Sequence, residues 1–94
     1  MYTLRIEHVV QNFDAWKKAF DSDPIGRKRS GVRQYRIFRP VDDDNYVVVD
    51  LEFDSEVLAS EALEALRKLW KQVEGKVMFN PETRILRIAE SREL

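Results

Sequence analysis

At the centre of the sequence, residues 32–53 read VRQYRIFR, then PVDDDN, then YVVVDLEF. Two runs rich in β-branched and aromatic residues flank a cluster of turn-forming residues, which is typical of two antiparallel strands joined by a loop. The stretch therefore predicts a β-hairpin with a long loop. The other elements must pack on the sheet that this hairpin begins.

One strand and one helix are predicted before the hairpin. Residues 2–10 alternate in polarity, which indicates a strand with one apolar face. Asn12 can cap a helix whose apolar residues recur at spacings of three and four; they are Phe13, Trp16 and Phe20. Pro24, placed after Asp23, can open a second helical turn that Gly31 closes.

After the hairpin, the sequence predicts a long helix and a last strand. Asp54 or Ser55 can cap the helix, and Gly75 can end it. The apolar stripe of this helix consists of Leu58, Ala62, Leu66, Leu69 and Val73, widened by Ala59, Leu63 and Trp70. Residues 83–90 are rich in Ile and Leu and indicate the final strand, after a connector that contains the Asn-Pro pair at 80–81.

The order of the predicted elements, βαββαβ with short connections, is typical of the ferredoxin-like fold. Right-handed crossovers place the four strands in the order 4-1-3-2, each antiparallel to its neighbours, with both helices on one face. A chain of 94 residues has room for one core. We therefore expect a single α+β domain spanning residues 1–94.

The alternation within the strands assigns side chains to the two faces of this sheet. The face covered by the helices is predicted to carry Leu4, Ile6, His8, Tyr35, Ile37, Val47, Val49, Leu51, Phe53, Leu86 and Ile88. The open face is predicted to carry Arg5, Glu7, Val9, Val32, Gln34, Arg36, Phe38, Tyr46, Val48, Asp50, Glu52, Ile85 and Arg87. Pairing this mixed face with its own copy in a two-fold homodimer would bury the apolar groups and bring opposite charges together. The alternative is a monomer with a half-solvated open sheet.

The composition limits the classes of function. The chain has no cysteine, which excludes disulfides, thiolate catalysis and cysteine-type zinc sites. A net charge of -1 gives no general attraction to nucleic acid, and no apolar run is long enough to suggest a membrane span. No secretory signal pattern occurs, so the expected location is cytoplasmic. No phosphate-binding loop, nucleophile elbow or zinc spacing occurs, so neither a cofactor nor a metal is expected.

Six short segments together form a pattern that points to a superfamily. They are Glu7-His8-Val9-Val10, Asn12-Phe13-Asp14-Ala15-Trp16-Lys17, Gly31-Val32, Tyr35-Arg36, Val47-Val48-Val49 and Leu51-Glu52-Phe53. This pattern resembles the dimeric α+β barrel superfamily, which includes antibiotic-biosynthesis monooxygenases. The resemblance implies a barrel formed by the two sheets of a dimer, with ligands between each sheet and its helices. Members range from cofactor-free oxygenases of aromatic polyketides to haem-degrading enzymes, isomerases and proteins with no known reaction.

The haem-degrading branch of that superfamily differs from this chain in its ligands. That branch uses an asparagine on strand one and a haem-ligating histidine in the region of its second helix. This chain has Glu7 and His8 on strand one and no other histidine. The resemblance therefore implies no haem site here.

The candidate site residues lie on the covered face and on the helices above it. His8 and Tyr35 are the polar groups of that face and are predicted to be catalytic, by exchanging a proton with a phenolic or enolic ligand or by orienting it. Each could instead be a core residue bonded to the backbone. The predicted ligand-binding residues, which would form flat apolar walls, are Trp16, Trp70, Phe20 and Phe53. Large aromatic residues at helical spacing are more often plain core.

Two charged clusters have simpler interpretations than a binding site. The basic residues Arg27, Lys28, Arg29, Arg33 and Arg39 could attract an anion, but a solvated surface is the more common role. The aspartates at 42–44 could hold a hard cation, but aspartates in a hairpin loop are ordinary turn residues.

Two classes of function remain. The first is a cofactor-free monooxygenase-like enzyme, or a related isomerase or cyclase, acting on a small aromatic or enolisable molecule held between sheet and helices. The second is a non-catalytic dimeric module that binds a small molecule or is only a stable barrel. RNA binding is disfavoured because Asp50 and Glu52 would lie where bases stack. A cavity that reaches His8 would favour the enzyme, and solid packing would favour the module.

Overall fold

The computed structural model describes residues 1–73 and 79–94, which form four strands and two helices. In chain order these are β1 (Tyr2–Val9), α1 (Phe13–Asp21), β2 (Gln34–Phe38), β3 (Tyr46–Phe53), α2 (Glu56–Val73) and β4 (Phe79–Arg87). The predicted βαββαβ order is confirmed. Within the described residues, neither helix has the length and apolarity needed to cross a bilayer.

The four strands form one antiparallel sheet in the order β2-β3-β1-β4, which confirms the predicted order 4-1-3-2. The predicted hairpin lies at one side of the sheet, where β3 pairs with β2. Leu51 of β3 lies opposite Tyr35 on β2 and opposite Leu4 on β1. Both helices pack on the face to which Leu4 and Leu51 point.

Side-chain caps mark where both helices begin. The side-chain oxygen of Asn12 accepts a hydrogen bond from the backbone N–H of Ala15 at 2.9 Å, as its predicted capping role requires. At α2 the hydroxyl oxygen of Ser55 accepts a hydrogen bond from the backbone N–H of Leu58 at 3.2 Å. Of the two candidates, Ser55 rather than Asp54 therefore caps α2. The predicted helix stop at Gly75 lies outside the described residues.

The prediction of a second helical turn starting at Pro24 is wrong. Asp23 adopts a left-handed backbone with φ 52, and its carboxylate accepts a hydrogen bond from the backbone N–H of Arg27 at 2.8 Å. This side-chain bond competes with a helical start, so a run of turns follows instead. The run ends at Gly31, where φ is 97 and an added Cβ would lie 3.1 Å from Leu58 Cδ1.

The last strand begins earlier than predicted. β4 includes the Asn-Pro pair at 80–81, and its register with β1 shifts between Glu7 and Val9. β4 is an edge strand of this sheet, where proline is tolerated because its missing N–H can face away from the neighbouring strand. The irregular pairing is a bulge of the kind that edge strands commonly carry.

The predicted faces of β4 are also wrong. Ile85 pairs with Leu4 and packs against the core, whereas Leu86 pairs with Thr3 on the open face. Ile85 and Arg87 therefore belong to the covered face, and Leu86 does not. Two apolar residues in succession allow either phase of alternation, and a shift by one residue moves every side chain to the other face. Val32, also predicted on the open face, precedes β2 and packs against the core.

The core lies between the sheet and the two helices. Its buried apolar residues are Leu4, Ile6, Val10, Trp16, Val47, Val49, Leu51, Phe53, Ala59, Ala62, Leu63 and Trp70. These come mainly from the predicted covered face of β1 and β3 and from the predicted helix stripes. In the part of the chain that the structure describes, Thr3, His8 and Asp50 are the buried polar residues.

The open face pairs several of its polar groups within one chain. Arg5 donates two hydrogen bonds to the carboxylate of Asp50, at 2.8 and 2.9 Å. The hydroxyl of Tyr46 donates to Glu7 Oε1 at 2.8 Å, and this bond to a carboxylate raises the pKa of Tyr46 to about 12. These groups are satisfied without a partner copy.

Apolar side chains on the same face stay partly in contact with solvent. Val9 is 49% exposed and Phe38 is 42% exposed. Tyr46, Val48 and Leu86 are half-buried. The open face thus combines internally paired charges with an incompletely covered apolar surface.

Candidate functional site

A cavity of about 250 Å³ lies between the sheet and the helices. Its lining residues are Ile6, His8, Trp16, Ala19, Phe20, Ser22, Pro24, Ile25, Arg27, Val49, Leu51, Leu66, Leu69 and Trp70. Most of this wall is apolar, and the polar side chains in it are those of His8, Ser22 and Arg27. An apolar cavity of about 150 Å³ in another protein holds benzene. This cavity therefore has room for a substituted ring or for two fused rings.

His8 is positioned on β1 with its ring at the cavity wall, and the residue is only 2% exposed. Its Nδ1 lies 3.0 Å from the backbone carbonyl oxygen of Val9. A carbonyl oxygen only accepts, so Nδ1 carries the hydrogen and donates it. Nε2 is then the nitrogen with a free lone pair, and it is buried without a hydrogen-bond partner among the described residues.

The protonation state of His8 follows from its surroundings. Burial lowers the pKa of His8 below its ordinary value of 6.5, and the hydrogen bond to the Val9 carbonyl opposes this effect only in part. The neutral imidazole is therefore the main form at neutral pH. Leaving a buried acceptor unpaired costs about 1 to 3 kcal/mol. A ligand that brings an O–H or N–H donor to Nε2 would remove this cost.

Aromatic rings form much of the cavity wall. The ring centroid of Trp16 lies 6.0 Å from that of His8 and 5.2 Å from that of Phe20. Trp16 and Phe20 are four residues apart on α1, so the row of rings runs along the helix. Trp70 contributes a further ring from α2. Flat rings with few rotatable bonds suit an aromatic ligand.

Arg27 also lines this cavity, although the sequence assigns it only to a basic surface cluster. Its side chain is 17% exposed, and its guanidinium carbon lies 4.0 Å from the ring centroid of Phe20 and 5.0 Å from that of Tyr35. Its Nη1 donates to the carbonyl oxygen of Phe20 at 2.7 Å. The turns between Asp23 and Gly31 place Arg27 there, and such a connector has no periodicity from which its direction can be read.

Solved structures share this arrangement of strands and helices. The cofactor-independent oxygenase SnoaB from Streptomyces nogalater matches with a TM-score of 0.73 at 13% identity, over 96% of this chain and 94% of that chain. A candidate antibiotic biosynthesis monooxygenase from Nitrosomonas europaea matches with a TM-score of 0.71 at 19% identity, over 96% and 100% of the two chains. A dimeric ferredoxin-like protein from an uncultured marine organism matches with a TM-score of 0.66 at 14% identity, over 97% of each chain. The chain therefore shares the ferredoxin-like fold of these proteins.

The ferredoxin-like fold predicted from the sequence is thereby confirmed. No family model and no curated protein matches the sequence. At identities of 19% or less for these three structures, the similarity establishes the fold alone. The activity must be argued from the residues of this chain.

This fold brings four of the six predicted site residues to the cavity. They are His8, Trp16, Phe20 and Trp70. Tyr35 does not line it, because the side chain lies on the edge strand β2, 42% exposed, with its ring edge-on to Phe20 at 5.0 Å. Phe53 does not line it either: it is fully buried at one end of β3, opposite Tyr2, whereas His8 pairs with Val47 near the other end.

The loop between β2 and β3 carries the predicted candidate for a cation site. The carboxylate of Asp43 accepts a hydrogen bond from the Asn45 backbone N–H at 2.9 Å, and that of Asp44 lies 3.8 Å from Arg39. These are ordinary contacts of a turn. Among residues 1–73 and 79–94, no three acidic or histidine side chains come together in a group that could hold a metal ion.

Proposed function

We propose that this protein is a cofactor-independent monooxygenase-like enzyme, or a related isomerase or cyclase, acting on a small aromatic or enolisable molecule in the cavity beside His8. The observation that carries the proposal is that His8 lines an apolar cavity while its Nε2 has no hydrogen-bond partner among the described residues. A phenolic or enolic O–H would satisfy this acceptor. The name of SnoaB, a cofactor-independent oxygenase of the same fold, adds support for this class of reaction.

In this proposal His8 is the general base. The substrate O–H first donates a hydrogen bond to Nε2 and then transfers its proton, which leaves an electron-rich aryloxide or enolate. The lowered pKa keeps His8 in the neutral form that can accept the proton. The apolar wall excludes water from the anion and so limits competing proton transfer.

In the oxygenase case the substrate itself reduces dioxygen. The carbanionic carbon of the enolate combines with O₂ to give a peroxide, which takes the proton back from His8. The O–O bond then breaks as the carbon loses its remaining hydrogen, and water leaves. One oxygen atom stays in the product as a carbonyl, the other forms the water, and the substrate supplies all four electrons. In the isomerase case the proton returns to a different atom and no dioxygen is consumed.

Oxygen uptake tests this proposal. Purified protein would be mixed with a panel of anthrones and other enolisable hydroxyarenes, with an oxygen electrode as the readout and isotopically labelled O₂ to show one labelled atom in the product. We expect His8→Phe, which keeps a ring but removes Nε2, to lower the rate by at least about a hundredfold, as loss of a general base does. An unchanged rate in His8→Phe would show that His8 is not the base.

Tyr35→Phe tests whether the Tyr35 hydroxyl takes part in catalysis, as the sequence predicts, or not, as its position in the structure indicates. Tyr35 was a predicted catalytic residue, but its hydroxyl is on a side chain outside the cavity lining. We expect turnover by Tyr35→Phe to stay within about threefold of the unmodified protein. A large loss of turnover with an unchanged circular dichroism spectrum would show that Tyr35 is catalytic.

The second candidate function is a module that binds a small molecule without changing it. A neutral imidazole can accept a hydrogen bond without taking the proton, and its lowered pKa favours this outcome. The two functions differ in what becomes of the ligand. Recovery of every bound hydroxyarene unchanged by mass spectrometry, with no oxygen uptake and no isomer formed, would favour the binding module.

We also infer that the protein forms a homodimer through the open face. One row across the sheet holds Arg36, Asp50, Arg5 and Arg84, and the next row holds Phe38, Val48, Glu7 and Glu82. The first row has an excess of positive charge and the second an excess of negative charge. A two-fold axis that sets each row against the partner's other row would bring arginines to glutamates while covering the exposed apolar side chains.

A further inference from the structure

Arg27 lies between the cavity and a groove on the surface of the protein. It lines the cavity beside His8 and also a groove whose lining includes Lys28, Arg33, Tyr35 and Asp54. The guanidinium is held against the faces of Phe20 and Tyr35. Stacking of this kind leaves the edge of the guanidinium plane, where the N–H groups are, free to meet an acceptor.

Among residues 1–73 and 79–94, the hydrogen bond and the ion pair of the Arg27 guanidinium both use Nη1. Nη1 donates to the Phe20 carbonyl at 2.7 Å and lies 3.5 Å from the Asp23 carboxylate. That carboxylate also accepts the backbone N–H of Arg27 at 2.8 Å. Nε and Nη2 have no hydrogen bond to another described residue. Three N–H donors are therefore available to a ligand.

Both His8 and Arg27 line the cavity, and a row of aromatic rings connects them. The ring of Trp16 contacts those of His8 and Phe20, and the guanidinium of Arg27 lies over the ring of Phe20. His8 offers a hydrogen-bond acceptor, and Arg27 offers donors with a positive charge. Ser22, the other polar residue of the lining, already donates its hydroxyl to the Ala19 carbonyl at 2.6 Å.

We propose that Arg27 is a specificity-determining residue and that the cavity takes an aromatic molecule with a hydroxyl at one end and a carboxylate or similar oxyanion at the other. This inference rests on the proposed function for the His8 end of the site and adds the chemistry of the opposite end. The hydroxyl donates to His8 Nε2, and the oxyanion accepts from Nε and Nη2 of Arg27. Hydrogen bonds to charged groups are roughly twice as strong as neutral ones, so the Arg27 end contributes most of the selectivity.

The volume of the cavity limits the size of this ligand. At about 250 Å³ it lies below the usual range of pockets for drug-sized molecules, roughly 300 to 1,000 Å³. A one-ring or fused two-ring skeleton fits this volume better than a larger polycycle. The oxyanion at the Arg27 end can extend toward the groove, which is open to water, so its charge need not be fully desolvated.

Binding of three matched probes tests the inference. They are a hydroxynaphthoate with its two substituents on opposite rings, the naphthol that lacks the carboxylate, and the naphthoate that lacks the hydroxyl. Tryptophan fluorescence would give their dissociation constants near neutral pH, because two tryptophans line the cavity. We expect the hydroxynaphthoate to bind at least about tenfold more tightly than either of the other two.

The Arg27 variants separate recognition from packing. We expect Arg27→Gln to weaken hydroxynaphthoate and naphthoate by at least about tenfold while changing naphthol by less than about threefold. Arg27→Lys, which keeps the charge but loses the planar fork, should give an intermediate loss. Arg29→Gln is the matched control: it removes the same charge from the same connector at an exposed position outside the cavity lining, and should change nothing.

The outcomes distinguish the two proposals. Equal losses for all three probes in Arg27→Gln would mean that Arg27 only supports the wall, and the inference would be wrong. Failure of the unmodified protein to bind hydroxynaphthoate more tightly than naphthol would also overturn it. The two roles can also be separated. If Arg27→Gln weakens the binding of only the two carboxylates, the role of Arg27 is upheld. If His8→Phe leaves the dissociation constant of naphthol unchanged, the proposed role of His8 is refuted.

Discussion

At the scale of single residues, the chemistry depends on the tautomer and the burial of one histidine. The Val9 carbonyl holds the hydrogen on Nδ1, so the free lone pair of His8 is on the nitrogen that has no protein partner among the described residues. A residue with this arrangement is neither a satisfied core histidine nor a solvated one. It is a buried acceptor at the wall of a space large enough for a ligand.

The lowered pKa of His8 makes the stability of the protein depend on pH. The unfolded chain takes up a proton near the ordinary value of 6.5, whereas the folded chain takes it up only at a lower pH. The unfolded state therefore binds more protons between these two values. We expect the free energy of unfolding to fall as the pH drops below about 6.5, and this part of the loss to level off below the folded-state pKa.

Urea unfolding at a series of pH values measures this dependence. His8→Phe is the control, because carboxylates that titrate at lower pH affect both proteins alike. The difference in unfolding free energy between the two proteins should change between pH 7 and pH 5, with the histidine protein losing more. A difference that is independent of pH over this range would contradict the burial argument.

At the scale of the elements, the start of α2 allows the stability contributions of two neighbouring cap candidates, Ser55 and Asp54, to be compared. Ser55 bonds the Leu58 N–H, whereas Asp54 is exposed and lies 3.6 Å from Arg33. We expect Ser55→Ala to lower the free energy of unfolding by about 1 kcal/mol, because one of the first N–H groups of the helix loses its acceptor. Asp54→Ala should cost less than about 0.5 kcal/mol, because it breaks only an exposed ion pair.

Chemical denaturation of both variants gives the comparison. The slope with denaturant should stay unchanged, so that the shift in midpoint reports stability. A larger cost for Asp54→Ala than for Ser55→Ala would show that α2 begins one residue earlier than its hydrogen bonds indicate.

At the scale of the whole molecule, the open face is tested by the mass of the protein in solution. We expect sedimentation equilibrium at micromolar concentration to give twice the chain mass of 11.1 kDa. Phe38→Lys should shift the protein to the monomer, because it places a charge in the apolar part of the interface while the residue is 42% exposed in the single chain. Arg36→Glu should act in the same direction, because it would set a carboxylate against the glutamates of the partner's facing row.

Arg67→Glu is the control for these two variants. Arg67 is an exposed residue of α2, on the helix side of the protein, and pairs with Glu64 at 3.2 Å. Its reversal should leave the measured mass unchanged. The chain mass for the unmodified protein, or equal masses for Phe38→Lys and the unmodified protein, would mean that the open face is not the interface.

Local patterns in the sequence determine most of the fold of this protein. The hairpin, the first helix cap at Asn12 and the stripe of α2 each depend on residues close together in the chain, so each can be read from spacing. Once six elements are in order, right-handed crossovers leave few topologies, and the strand order follows. The sequence also identifies His8 as the polar interruption of an apolar face, because β1 alternates without ambiguity.

Three features were decided only by the tertiary structure, each because long-range contacts resolve what local pattern leaves open. The faces of β4 depend on its register with β1, since Ile85 and Leu86 are equally apolar. Tyr35 and Phe53 lie on the predicted face of the sheet but away from the cavity. Alternation in the sequence predicts the face on which a side chain lies, but not which part of that face lines the cavity. Arg27 reaches the cavity through turns whose dihedral angles follow no period, so its place beside Phe20 exists only once α1 and β2 are packed together.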